Sequence, residues 1–187
     1  MKRVAILASG TGSNAKSLLE HFSVHPEIQI TAVGSNRESA GVLEIAKSYD
    51  VEQFHFTKAQ MNSGQLLSKL KELKIDWILL SGFLLKVPSE IISEFENCIL
   101  NIHPSLLPNF GGKGMYGMNV HNAVFASDDN KSGMTIHKVT EGYDEGDVIF
   151  QVNVDISKCE TAEEIASKVL ALEHHYYPRI AEAMIND

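Results

Sequence analysis

Arg3-Val4-Ala5-Ile6-Leu7-Ala8-Ser9-Gly10-Thr11-Gly12-Ser13-Asn14 begins with an apolar run, turns through two glycines and leads into a helical pattern. The run from Arg3 to Ala8 has the length of a buried strand. It is too short for a signal-peptide core. Beyond the turn, Ala15, Leu18, Leu19 and Phe22 fall at i, i+3, i+4 and i+7, the apolar stripe of an amphipathic helix. Strand, glycine turn and helix in this order form the first unit of an α/β fold. Glycines in such a turn let backbone amides approach an anion, and the helix N-terminus adds its partial positive charge. The turn lacks the Gly-Lys-Ser/Thr ending of a Walker loop and the third glycine of G-x-G-x-x-G, which favours a mononucleotide or sugar phosphate over a dinucleotide. Gly10, Thr11, Gly12, Ser13 and Asn14 are therefore candidate phosphate-binding residues. A tight turn with a Ser or Thr helix cap and no ligand is the alternative.

The same alternation continues outward. Ile28 to Gly34 is a β-branched strand, Val42, Ile45, Ala46 and Tyr49 repeat the helical stripe, and Gln53 to Phe56 is a short strand. Leu66, Leu67, Leu70 and Leu73 mark a third helix, Trp77 to Ser81 a continuous apolar strand, Ser89 to Phe95 a short helix and Cys98 to Ile102 a fifth strand. Strands this uniformly apolar predict a mostly parallel sheet with helices on both faces, a doubly wound, Rossmann-like α/β architecture. A glycine-rich loop follows, then a helix near Asn119 to Ala126, strands near Met134 to Val139 and Val148 to Ile156, and a long terminal helix. Thr161 and Glu164 suit a capping box at its start. Pro178 predicts a kink or break near His174 to Tyr177.

A chain of 187 residues with 44% hydrophobic content supports one substantial core, so a single domain, 1–187, is expected. The formal charge of -8, with no basic cluster, argues against nucleic acid or an anionic membrane as partner. No apolar run approaches the ~20 residues of a membrane span, and a cytoplasmic location is expected. Cys98 and Cys159 fall in apparent strand contexts without CxxC or ligand spacing, as buried reduced thiols do.

The chemistry concentrates in Asn101-Ile102-His103-Pro104-Ser105-Leu106-Leu107-Pro108. The prolines forbid strand continuation and immediate helix formation, so the segment marks a strand end. Asn101 and His103 alternate onto one face. An amide can hold a carbonyl oxygen while the imidazole moves a proton, the pairing needed when an amine attacks an acyl carbon. A third feature is the acidic, glycine-bracketed loop Val139-Thr140-Glu141-Gly142-Tyr143-Asp144-Glu145-Gly146-Asp147-Val148-Ile149. A carboxylate from it could orient or charge the His103 imidazole; the bland alternative is a solvated turn.

The octapeptide, the glycine turn and the acidic loop, in this order and spacing, resemble the folate-dependent formyltransferase family, and within it the branch acting on glycinamide ribonucleotide. The resemblance covers the chain from the first strand through the terminal helix. It implies transfer of the formyl group of 10-formyltetrahydrofolate to the amine of 5′-phosphoribosylglycinamide in purine biosynthesis, by direct amine attack. Asn101, His103 and Asp144 match the family's catalytic Asn, His and Asp, and Glu173 matches a glutamate contacting the substrate ribose. Gly82-Phe83-Leu84-Leu85-Lys86-Val87 matches a folate-lining strand end. The folate pocket is therefore expected among Leu84, Leu85, Lys86, Val87 and Asn101, facing Thr140, Glu141, Gly142, Tyr143 and Asp144. Residues 1–102 would form the nucleotide-binding half, and 103–187 the active-site and folate-binding half. Asp144 is expected to favour a charged His103, and no metal is implied.

Two departures stand out. Leu85 occupies a position where many relatives carry arginine, and the loop Asn109 to Met118, with four glycines, is longer than the family's usual version. Among alternatives, methionyl-tRNA formyltransferase shares the octapeptide but adds a tRNA-binding domain, for which this acidic chain has neither room nor charge. Formyltetrahydrofolate deformylase normally carries a preceding regulatory domain. A non-enzymatic nucleotide-binding module would leave Asn101 and His103 structural, and a metal hydrolase built on His103, His121, His137 and Asp144 lacks paired-ligand spacing.

Overall fold

The apolar runs pair into one seven-stranded sheet of order β3-β2-β1-β4-β5-β6-β7 in a computed structural model that describes residues 1–187. Strands β1 (Lys2–Ala8), β2 (Ile28–Ser35), β3 (Glu52–His55), β4 (Trp77–Leu80) and β5 (Ile99–His103) are parallel. β6 (Lys131–Lys138) and β7 (Val148–Asp155) extend the sheet antiparallel. The helices are α1 (Ser13–Phe22), α2 (Gly41–Ser48), α3 (Lys58–Asn62), α4 (Gln65–Glu72), α5 (Ser89–Glu94), α6 (Met118–Phe125) and α7 (Ala162–Asn186).

Alternation along β1 shows why both faces need cover. Val4, Ile6 and Ala8 pack with Ala15 and Leu18 of α1, Val42 of α2, Val124 of α6 and Val169 of α7. Ala5 and Leu7 turn the other way, onto Met61 of α3, Leu66 and Leu70 of α4 and Ile91 of α5. Each aliphatic side chain buried in these layers contributes about 1.5 to 3 kcal/mol relative to exposure. No helix is long and apolar enough to cross a membrane.

Sequence order reverses between β1 and β4, and in an open α/β sheet the loops leaving such a point diverge to opposite faces and open a crevice at the carboxyl ends. Ser9, the residue after β1, holds the two lips of that crevice in register. Its N–H donates to the Gly82 carbonyl at 3.1 Å, and its hydroxyl donates to Asn36 Oδ1 at 2.6 Å while accepting the Leu84 N–H at 2.9 Å.

Several expectations are corrected. The segment after β3 contains a short helix that periodicity does not show, α3, started by a full capping box: the Thr57 hydroxyl accepts from Gln60 N–H and the Gln60 side chain accepts from Thr57 N–H. The expected box on α7 is only half formed. Thr161 Oγ1 accepts the Glu164 N–H, but the Glu164 carboxylate reaches past it to the Glu160 N–H at 2.7 Å. Cys98 and Cys159 are half-buried free thiols just outside the strands. Most informative is α7, which runs unbroken for 25 residues through Pro178. Proline takes away the N–H that the His174 carbonyl would otherwise accept. Ser17 Oγ of α1 donates to that carbonyl at 3.0 Å, so the partner missing within the helix is supplied by its neighbour.

Ser17→Ala is accordingly expected to cost about 1 kcal/mol of unfolding free energy in denaturant titrations. In a Pro178→Ala background, where residue 178 again donates, the same substitution should cost clearly less. Equal costs in the two backgrounds would contradict this pairing.

Candidate active site

The crevice deepens into a cavity of about 780 Å³ whose wall includes Thr11, Ser13 and Asn14 from the glycine turn, Asn101 and His103 from β5, Asp144 from the acidic loop and Glu173 from α7. Residues separated by more than 150 positions in sequence thus share one space. At its centre is the Asp144 carboxylate, whose side chain is 13% exposed. Oδ1 lies 3.5 Å from Asn101 Nδ2 and 3.6 Å from His137 Nε2. Oδ2 accepts the Gly112 N–H at 2.9 Å and lies 3.5 Å from His103 Nδ1. Asp144 takes a positive φ of 57°, a conformation aspartate tolerates better than most residues.

The ring partners define tautomers. His103 Nε2 faces the Phe110 carbonyl at 2.9 Å and therefore carries a proton; His137 Nδ1 does the same toward the Lys138 carbonyl at 2.8 Å. His137 Nε2 is then free to accept from Asn101 Nδ2 at 3.0 Å, orienting that amide. Burial pushes His103 below the ordinary imidazole value, outweighing the opposing pull of Asp144 and the Phe110 carbonyl. This corrects the expectation of a charged His103: desolvation exceeds the attraction, and the resting ring is neutral. For Asp144 burial acts upward, yet the groups around it hold its carboxyl below the usual range, the Gly112 N–H being the close donor that the resting tautomers leave to it. His121, also on the cavity wall, has a buried Nδ1 without a partner, and burial lowers its pKa.

His137 enters this cluster unannounced by any sequence motif. Its signal is topological: in the β5–β6 ladder Asn101 pairs with His137 and His103 with Thr135.

The glycine turn differs from its expected role in one respect. Thr11, Ser13 and Asn14 line the cavity, whereas Gly10 and Gly12 do not. Gly12 has φ 88°, and a Cβ there would lie 2.8 Å from Val42, so its missing side chain admits α2 rather than a ligand. As N-cap of α1, Gly12 offers no side-chain hydrogen bond. The helix therefore lacks the Ser or Thr cap of the alternative reading, and its first N–H groups have no side-chain partner.

The folate-side segments also converge. Leu84, Leu85, Lys86 and Val87 share a second cavity of about 530 Å³ with Glu141 and Tyr143, and Leu84 and Tyr143 line both cavities. Thr140 and Gly142 line neither.

Glu173 is 7% exposed, and burial raises its carboxyl to about 7, with the 2.7 Å hydrogen bond from Asn14 Nδ2 opposing part of that rise. A profile of the formyl transferase family matches residues 2–181. The chain belongs to the formyl transferase family. It is 40% identical over 194 residues to the chloroplastic phosphoribosylglycinamide formyltransferase of Vigna unguiculata, covering 100% of this chain and 62% of that protein. It is 28% identical over 191 residues to the phosphoribosylglycinamide formyltransferase of Bacillus subtilis (strain 168), covering 99% and 95%. The chain thus spans somewhat less than two thirds of the Vigna relative but nearly all of the bacterial one. Among solved structures, the phosphoribosylglycinamide formyltransferase from Anaplasma phagocytophilum superposes with a TM-score of 0.89 at 33% identity, over 99% of this chain and 88% of that one. The doubly wound fold is therefore that of formyl transferases, a family that uses a formyl-folate cosubstrate.

Glu173 supplies a test of the site's electrostatics. Its folded pKa, about 7, lies above the ordinary value of 4.5, so the folded state binds the proton more tightly and stability falls as pH rises between those values. Glu173→Gln removes this penalty. Its unfolding free energy should exceed that of the unmodified protein by about 3 kcal/mol at pH 8, and by little at pH 4.5. A pH-independent difference would contradict the raised carboxyl.

Proposed function

We propose that the chain is a phosphoribosylglycinamide formyltransferase, moving the formyl group of 10-formyltetrahydrofolate to the amine of 5′-phosphoribosylglycinamide. The observation that carries this reading is the single cavity joining an uncapped helix N-terminus, the hydrogen-bonded Asn14–Glu173 pair and an amide–imidazole–carboxylate cluster. The ribonucleotide phosphate would rest on the backbone of Thr11, Ser13 and Asn14, with Gly10 and Gly12 shaping the turn and Glu173 accepting from the ribose hydroxyls. The pterin would enter between Leu84–Val87 and Tyr143, presenting its formyl group to Asn101 and Asp144. Both partners are small molecules, bound within one domain, 1–187; residues 1–102 supply the phosphate turn and 103–187 most of the chemistry.

Chemically, the amine nitrogen attacks the formyl carbon and the formyl oxygen becomes an oxyanion. Asn101 Nδ2 has one strong partner, His137, and a second contact at the 3.5 Å limit to Asp144, which the developing oxyanion can replace. Neutral His103 holds an available lone pair on Nδ1, facing Asp144 at 3.5 Å. It takes the proton leaving the amine, and the carboxylate stabilises the imidazolium that results. The carbon–nitrogen bond to folate then breaks, and the same proton passes to the departing nitrogen. Hydrogen bonds and this relay suffice, so the proposal includes no metal.

The direct test incubates the purified protein with 10-formyltetrahydrofolate with and without glycinamide ribonucleotide. Tetrahydrofolate should form only when the nucleotide is present, in step with formylated nucleotide. Release without it would indicate hydrolysis and overturn the reading. His103→Ala and Asp144→Asn should each lower kcat by about 10²-fold or more, and the double variant should lose far less than the product of the two. Multiplicative losses would break the His103–Asp144 unit.

A further inference from the structure

We propose that Lys113 is the cation that holds the phosphate of the substrate, delivered into the cavity by the glycine loop rather than by the helix that cradles it. The inference rests on the ribonucleotide reading above and names a residue for which that reading had no role.

The cavity poses an electrostatic problem. Two carboxylates, Asp144 and Glu173, lie on its wall, and its two histidines, His103 and His121, are both driven toward their neutral forms by burial. A phosphate monoester carries close to two negative charges at neutral pH, and a helix N-terminus offsets only about half of one. Of the sixteen Lys and Arg residues in the chain, Lys113 alone lines this cavity. Lys16, the basic residue nearest the turn in sequence, instead pairs with Glu20 at 3.7 Å along α1.

Lys113 is free for the task. It forms no ion pair and no side-chain hydrogen bond, and it is exposed to the solvent that fills the cavity. Its placement is built into the backbone. Gly112 and Gly114 have φ of 93° and 90°, and a Cβ at either would meet nothing within 4 Å. These glycines are therefore needed for left-handed turning, not for space, and the two turns bring residue 113 over the cavity. The Gly112 N–H anchors the loop to Asp144 Oδ2 at 2.9 Å. The same loop thus reports to the reaction centre at one residue and offers an ammonium group at the next. A flexible lysine stem suits a site that must admit and release its ligand.

Steady-state kinetics of Lys113→Ala and Lys113→Arg test the proposal, with glycinamide ribonucleotide and its dephosphorylated riboside as alternative substrates. Lys113→Ala should raise KM for the ribonucleotide by about tenfold to a hundredfold, the worth of one charge-assisted hydrogen bond. KM for 10-formyltetrahydrofolate, kcat and turnover of the riboside should stay within about twofold. Lys113→Arg should recover most of the affinity. Inorganic phosphate should inhibit the unmodified enzyme competitively against the ribonucleotide and the alanine variant more weakly. An unchanged ribonucleotide KM in an otherwise active Lys113→Ala enzyme overturns the proposal. So does a fall in kcat alone, which would assign the lysine to the Asp144 cluster, or equal losses for both substrates, which would mean a damaged loop. If the unmodified protein formylates neither substrate, the parent reading fails instead.

Discussion

One buried carboxylate ties three parts of this molecule together. Asp144 stands on a loop between two antiparallel strands, yet its oxygens reach the end of the central parallel strand β5, the next strand β6 and the backbone of the glycine loop. Burial alone would drive such a group toward its neutral form; the N–H of Gly112 and the polar groups around it reverse that tendency. Each partner is in turn held by another group, His103 by the Phe110 carbonyl and His137 by the Lys138 carbonyl. Removing the charge would leave an amide, two rings and a loop without their common reference point.

The sheet explains why these groups meet. Order reverses between β1 and β4, so the turn after β1 and the segment after β4 part at the crevice, and β5 delivers Asn101 and His103 beside them. Ser9 fixes the spacing of the first two with two hydrogen bonds, to Gly82 and Leu84. The two cavities meet at Leu84 and Tyr143, and the Asn101–Asp144 cluster lies on the wall of the first.

What could be read from the residues followed from local pattern. The five parallel strands and the stripes of α1, α2 and α4 are short-range periodicities, and Asn101 with His103 lie two positions apart on one face. What could not be read depends on distance in sequence. His137 joins the site only through the β5–β6 register, and the unbroken course of α7 through Pro178 depends on a hydroxyl 157 residues away. α3 is too short to show a period and is betrayed only by its capping box. The neutral state of His103 was invisible for a related reason. The motif shows a carboxylate that could charge the ring, but only the packed structure shows how little water remains to solvate it.

The central claim is that the Asp144 cluster rests with an ionised carboxylate beside a neutral His103, whose ring is oriented opposite to that of His137. Nitrogen-15 spectra of the histidine side chains across pH measure this directly. At pH 7 His103 should show the Nε2–H tautomer and His137 the Nδ1–H tautomer, and His103 should protonate only below the ordinary imidazole range. A His103 that is already doubly protonated at neutral pH, or one carrying its proton on Nδ1, would contradict the account.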